Sequence, residues 1–299
     1  MKVLITGANG LLGQKLVKLI LDKGGDDLIA TARGANRLPY PESGYRFDQM
    51  DITDQAQVDE VIDKYSPDVV IHTAAMTNVD QCETEREDCW KQNVDAVDFL
   101  IRACERNASF LLHLSTDFIF DGEDGPYDEE AAPNPISYYG DSKLAAEKLL
   151  LESGIKYAIA RTVLVYGIAH DMSRSNIVLW VKKSLEGGKA IKVVDDQWRS
   201  PTLAEDLAMG CYLITDKRAE GIFNISGKDL LTPYEMALKT AAYFDLDAST
   251  MERADASTFT QTAKRPPKTG LLIDKAVREL GYTPHSFEEG IGILVKQLS

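Results

Sequence analysis

Lys2-Val3-Leu4-Ile5-Thr6-Gly7-Ala8-Asn9-Gly10-Leu11-Leu12-Gly13 opens the chain with a short apolar run, a glycine-spaced turn and the start of a helical pattern. In a parallel α/β protein each glycine of such a turn has a use. Gly7 permits the tight turn, Gly10 lets backbone approach a pyrophosphate, and Gly13 lets the helix pack closely on the strand. The helix N-terminus then offers unpaired N–H groups to an anion. A free-standing glycine run says little, but one set strand, loop, helix points to dinucleotide binding. The contact candidates are Gly7, Asn9, Gly10, Leu11, Leu12 and Gly13.

Outward from this turn, short apolar runs at 28–32, 69–73, 110–115 and 157–165 alternate with helical periodicity at 11–22, 58–64, 89–106 and 139–152. That alternation is the pattern of βαβ units and a parallel sheet. The expected fold class is therefore α/β, a Rossmann doubly wound parallel sheet with a smaller C-terminal α/β substrate-binding lobe. Residues 1–165 are assigned to the dinucleotide-binding domain and 166–299 mainly to the substrate lobe, with segments near 200–226 returning to the sheet. In the second part, helices are expected at 177–186, 204–215, after Pro233 and up to about Leu298, with a buried strand at 222–225.

A formal net charge of −14, with no long Lys/Arg cluster, argues against a nucleic-acid partner. Cys82, Cys89, Cys104 and Cys211 form no C-x-x-C and have no histidine at ligand spacing, so no metal site is expected and buried thiols are. No run approaches the length of a membrane span, and Met1 leads straight into an apolar strand and not a leader. These features set the expectation of a cytoplasmic protein without membrane partners; a homodimer is compatible with them.

The second strand ends in Thr31-Ala32-Arg33. An NAD enzyme of this architecture usually carries an acid there, whereas Asp26 and Asp27 precede the strand. Arg33 suits a 2′-phosphate, so NADP(H) is the preferred cofactor and NAD(H) an admissible one. A solvated surface charge is the competing reading of Arg33.

Tyr139-Gly140-Asp141-Ser142-Lys143 sets a phenol and an ammonium four residues apart, on one helix face. A nearby cation stabilises tyrosinate and makes Tyr139 a better proton donor at neutral pH. Upstream, the strand 110–115 runs into Ser115-Thr116-Asp117, placing hydroxyls at the carboxyl edge where open α/β sheets carry ligands.

The glycine motif at Gly7, the run Ser115-Thr116-Asp117-Phe118-Ile119-Phe120-Asp121-Gly122 and the Tyr139/Lys143 pair resemble the extended short-chain dehydrogenase/reductases. Within them the chain most resembles the dTDP-4-dehydrorhamnose reductase family, over nearly its whole length. Thr73-Ala74-Ala75 resembles the segment under the cofactor, Asn93 the helix asparagine near the active site, and Asp51-Ile52 the adenine-contacting loop. The resemblance implies NAD(P)H-dependent reduction of the 4-keto group of a nucleotide-linked deoxysugar. Tyr139 would act as proton donor, with Lys143 lowering its pKa and binding the nicotinamide ribose. Thr116 would orient the carbonyl, with Ser115 as the second choice for that role and otherwise at the cofactor. Pro201-Thr202 with Asp206-Leu207-Ala208, and Arg265-Pro266, resemble the family's later signatures.

One departure stands out. The family pattern Asp-Gln-aromatic-Gly-x-Pro-Thr reads here Asp196-Gln197-Trp198-Arg199-Ser200-Pro201-Thr202. Trp198 and Arg199 are substrate-side candidates: the arginine suits a pyrophosphate, or fills space the usual substrate occupies, or faces outward. Two other classes share this scaffold, a non-catalytic NADP-binding regulatory subunit and a sugar-nucleotide epimerase or dehydratase. A dehydratase would carry an acid beside the catalytic threonine, where Asp117 stands.

Overall fold

The computed structural model describes residues 1–171 and 175–298. Eleven strands follow in chain order: β1 (Lys2–Thr6), β2 (Asp27–Ala32), β3 (Arg46–Gln49), β4 (Val69–His72), β5 (Phe110–Thr116), β6 (Tyr157–Thr162), β7 (Val165–Tyr166), β8 (Ile191–Val194), β9 (Thr202–Leu203), β10 (Gly221–Asn224) and β11 (Met251–Ala254). Seven of them form one sheet in the order β10-β6-β5-β4-β1-β2-β3, and every neighbouring pair is parallel.

A parallel sheet covered on both faces needs strands apolar on both sides. Val3, Ile5, Leu28, Ala30, Val69, Ile71, Phe110 and Leu112 pack on one face. Leu4, Ile29, Val70, Leu111 and Ile159 pack on the other. Each Val, Leu, Ile or Phe among them taken fully from water contributes about 1.5–3 kcal/mol. The first face is covered by α1 (Leu11–Lys23) and by the later helix Ala204–Lys217. The second is covered by α2 (Gln55–Tyr65), by Ala96–Asn107 and by Tyr138–Glu152.

The stretch 89–106, read as one helix, is divided. After α3 (Val79–Thr84) come α4 (Arg86–Trp90), a π-turn at Lys91–Asp95 and α5 (Ala96–Asn107). The π-turn carries Asn93, and such turns gather at functional positions because they re-aim side chains within a helix. Likewise 157–165 is not one strand: β6 ends at Thr162, and Val165–Tyr166 pairs instead with β9.

Past α6 (Tyr138–Glu152) lies the smaller part of the chain. It contains α7 (Ile177–Glu186), α8 (Ala204–Lys217), α9 (Pro233–Tyr243), α10 (Phe287–Val295) and a two-stranded parallel pair of β8 and β11. Thr232 and Ser286 start α9 and α10 with reciprocal capping boxes to Glu235 and Glu289. β10 returns to the main sheet beside β6.

Candidate active site

Strand order reverses between β1 and β4, and a crevice opens outside the carboxyl ends of strands at such a point. A cleft of about 370 Å³ lies there. Its first wall is the glycine turn, with Gly7, Asn9, Gly10, Leu11, Leu12 and Gly13 all on it. Gly7 has φ +67° and a Cβ there would stand 2.9 Å from Ala74 backbone. A Cβ on Gly13 would meet the Gly7 carbonyl oxygen at 2.4 Å. No side chain caps α1 at Gly10. The first-turn N–H groups of α1 therefore remain a cradle for an anion.

Asn9 braces this wall: its side chain donates to Ala35 O (2.9 Å) and accepts from Arg37 N (3.0 Å). That holds the loop after β2 against the turn and brings Arg33 and Arg37 to the cleft together. The lining continues with Asp51 and Ile52 after β3, and Thr73, Ala74 and Ala75 after β4. The Asp51 carboxylate is engaged locally by Thr53 N (2.9 Å) and Thr53 Oγ1 (2.8 Å). The sequence reading does not reach Arg37, Met50, Thr53 or Gln92, which also line the cleft. Arg37, a second cation four residues beyond Arg33, was the detectable signal among them.

Asn93 sits behind the cleft wall. Buried on the π-turn, it accepts from Met76 N (2.9 Å) and donates to Met76 O (3.1 Å) and to Ser142 Oγ (3.0 Å). It thereby ties the loop after β4 to α6, while its neighbour Gln92 faces the cleft.

Ser137 caps α6, accepting from Gly140 N, so that the first turn of the helix starts beside the end of β5. Tyr139 and Lys143 are both buried on that helix. Thr116 ends β5 close to the Tyr139 phenol. Its hydroxyl donates to Asp117 Oδ1 (3.0 Å) and accepts from Phe118 N (3.3 Å). Ser115 Oγ is buried and has no hydrogen-bond partner among the described residues.

The electrostatics differ from the sequence expectation. Burial raises the Tyr139 phenol above its ordinary value, and the Thr116 hydroxyl opposes the rise. Lys143 Nζ is turned to His113 Nε2 at 3.1 Å. An ammonium only donates, so Nε2 accepts and the imidazole carries its proton on Nδ1. Burial brings Lys143 down to about 8. His113 stacks on His72 with ring centroids 5.5 Å apart. Burial and the Lys143 charge push His72 down to about 3 and His113 well below its usual value, so both imidazoles are neutral.

Arg199 requires a correction. It is neither an outward-facing arginine nor an open phosphate grip, because it is 5% exposed and its guanidinium is committed to protein oxygens. Nη1 donates to Trp198 O (2.8 Å) and Pro267 O (3.2 Å); Nη2 donates to Pro266 O (2.6 Å) and Gln197 Oε1 (3.3 Å). A guanidinium spent on carbonyls has little left for a ligand. Trp198 stays partly exposed, its backbone joined to Pro267 and Thr269.

All four cysteines are buried and free. Among the described residues no cluster of His, Cys, Asp and Glu fits a metal ion, and no helix is long and apolar enough to cross a membrane.

The family model for the RmlD substrate binding domain matches residues 1–299. A probable low-salt glycan biosynthesis reductase, Agl14, from Haloferax volcanii is 31% identical over 98% of this chain and 97% of its own. Methionine adenosyltransferase 2 subunit beta from Bos taurus is 32% identical over 83% of this chain and 73% of its own. The crystal structure of dTDP-4-dehydrorhamnose reductase from Bacillus anthracis in complex with NADP superposes with a TM-score of 0.84 at 28% identity, covering 99% of both chains. The match to the model along the whole chain, with a relative of similar length, means that this protein belongs to the RmlD substrate binding domain family, within the extended short-chain dehydrogenase/reductases.

Proposed function

We propose that the chain is an NAD(P)H-dependent reductase of the 4-keto group of a nucleotide-linked deoxysugar, in the manner of dTDP-4-dehydrorhamnose reductase. The observation that supports this reading is that Thr116 ends β5 while Tyr139 and Lys143 lie buried in the first turns of α6, the helix that Asn93 ties to the loop following the cleft residues Thr73, Ala74 and Ala75. The cleft fits a dinucleotide: its glycine turn packs so tightly on Ala74 and on the start of α1 that a Cβ at Gly7 or Gly13 would meet backbone, the first-turn N–H groups of α1 are uncapped, and two guanidiniums line it. In this reading residues 1–165 hold the cofactor and 166–299 mainly the sugar nucleotide, and the enzyme works in the cytoplasm.

When bound, the nicotinamide supplies a hydride. The protein's part is to hold the acceptor carbon in reach and to deliver a proton to its oxygen. Tyr139 is the donor. Lys143 holds the nicotinamide ribose and, once the keto oxygen becomes an alkoxide, its charge favours the transfer. Thr116 orients the sugar beside Tyr139, with Trp198 at the outer side. Arg33 and Arg37 favour NADPH over NADH by facing the 2′-phosphate.

The test is to mix the protein with NADPH and a panel of 4-keto-6-deoxy sugar nucleotides, following cofactor absorbance and product mass. Oxidation with a mass gain of two hydrogens is expected, and Tyr139→Phe should lower kcat by about 10² to 10⁴ with cofactor affinity unchanged. Absence of oxidation across the panel, with NADPH still bound, would favour the reading suggested by the methionine adenosyltransferase relative, a regulatory subunit that binds and does not turn over.

A further inference from the structure

Arg199 stands where the family pattern has glycine, and behind the reacting hydroxyls it meets Asp117. The two side chains are 5% and 2% exposed as residues, with Arg199 Nε 3.9 Å from Asp117 Oδ2. Asp117 Oδ1 accepts from Thr116 (3.0 Å), and Oδ2 accepts a short hydrogen bond from Thr269 Oγ1. Thr116 in turn meets Tyr139. The buried line Tyr139, Thr116, Asp117, Arg199 thus runs from the proton donor to a cation whose terminal nitrogens are held by protein oxygens.

A threonine hydroxyl has one proton and two lone pairs. A carboxylate only accepts, so while Asp117 is ionised the Thr116 proton points to it and Thr116 shows the active site acceptor character alone. Were Asp117 protonated, it could donate to Thr116 and release the threonine proton toward the substrate. Burial favours that protonated state and on balance raises the Asp117 carboxyl above its ordinary range; the charge of Arg199 is the largest influence holding the rise down, followed by the Thr269 and Thr116 hydroxyls.

We propose that Arg199 is a positioning residue that keeps Asp117 ionised, so that Thr116 serves only as an acceptor and Tyr139 O–H is the single donor to the keto oxygen. The proposal rests on the reductase reading above and sharpens it. Thr116 takes a hydrogen bond from a sugar hydroxyl, and Asp117, enclosed by two threonines and a guanidinium, is withheld from the acid–base task a dehydratase would give it. The charged and titratable groups around Asp117 are Arg199 on its own loop, Tyr139 on α6 and, beyond Arg199, Arg265, itself paired with Asp80 at 2.6 Å. Cys82 and Cys89 stand behind Tyr139.

The experiment compares wild type with Arg199→Met, Arg199→Lys and Asp117→Asn. The Asp117 carboxyl carbon is followed by ¹³C NMR with labelled aspartate, without substrate, and assigned by its loss in Asp117→Asn. In wild type and Arg199→Lys it should be ionised at pH 6.5, a trial value about midway through the usual working range. In Arg199→Met it should be protonated there. In turnover, kcat of Arg199→Met should fall by about tenfold per pH unit below the new carboxyl pKa and recover at higher pH, while wild type stays flat. Cofactor affinity should be unchanged, because Arg199 is not on the cleft wall. Asp117→Asn should lose kcat at every pH, since its amide can donate to Thr116.

An ionised Asp117 in Arg199→Met, or equal loss in the Met and Lys variants with the wild-type pH profile, would reduce Arg199 to a loop brace and overturn the proposal. Wild-type kcat in Asp117→Asn would overturn it as well, and that arm stands if Arg199→Met does not fold. Because the NMR arm needs no substrate, a wild type without turnover would count against the reductase reading and leave the ionisation result to decide this one.

Discussion

Lys143 is a charge held in the interior by an imidazole and a helix, and its position costs stability. Its folded pKa of about 8 lies below the ordinary 10.5, so the folded chain binds fewer protons than the unfolded chain between those values. The penalty is therefore complete below pH 8, shrinks as pH rises, and is gone above 10.5. Lys143→Met should abolish most turnover and weaken cofactor binding, yet raise stability at pH 7 by about 1–3 kcal/mol. Urea titrations of both proteins at pH 7 and pH 10 check this: the gap should narrow at the higher pH, and a destabilised variant at pH 7 would contradict it. Arg33 makes a different kind of claim. It is exposed at the cleft, and a charge-assisted contact to the 2′-phosphate is worth about 1.5–3 kcal/mol. Arg33→Ala should weaken NADPH by about 10- to 150-fold and leave NADH unchanged. Calorimetric titration with both cofactors decides it, and an equal loss for both would assign the guanidinium some other task.

Among the elements, the π-turn Lys91–Asp95 has the widest reach, because one side chain on it joins three segments. Asn93 satisfies Met76 at both N–H and C=O and holds Ser142, which lies between Tyr139 and Lys143 on α6. Removing its amide leaves buried backbone groups unpaired, at about 1–3 kcal/mol. Asn93→Ala should lower the urea midpoint accordingly and, by freeing the loop after β4, raise the dissociation constant for NADPH. A variant with lowered stability and unchanged cofactor affinity would confine Asn93 to a structural brace. The helix pattern over 89–106 was legible because its apolar spacing persists through the π-turn, but the added residue in that turn leaves no mark in such spacing. β3 escaped for the opposite reason. Arg46-Phe47-Asp48-Gln49 is an edge strand with no fully buried residue, so it carries neither alternation nor an apolar run.

Across the whole molecule, α6, the helix of Tyr139 and Lys143, is fastened to the sheet by a buried pair. Arg161 on β6 grips Glu147 on α6 through Nε (3.0 Å) and Nη2 (2.7 Å), and its Nη1 reaches Glu129 O (3.1 Å). The side chains are 3% and 1% exposed, so neither charge has water to fall back on. Glu147→Ala should cost about 3–5 kcal/mol by stranding the guanidinium. Urea unfolding followed by circular dichroism measures this, and a loss below about 1 kcal/mol, the range of exposed pairs, would mean that the site relaxes to admit solvent.

From the amino-acid order alone came the parallel α/β class, the glycine-turn cleft and the Tyr139/Lys143 pair. Each of these rests on neighbours a few residues apart, and strand runs, turn glycines and one-turn helix spacing are local properties. The tertiary structure decided which polar groups face each other. Lys143 meets His113, Asn93 stands behind the cleft, and Arg199 is buried against Asp117 with its donors on carbonyls. The protonation and hydrogen-bond direction of such groups depend on burial and on partners brought from distant parts of the chain, and spacing along the sequence carries no record of either.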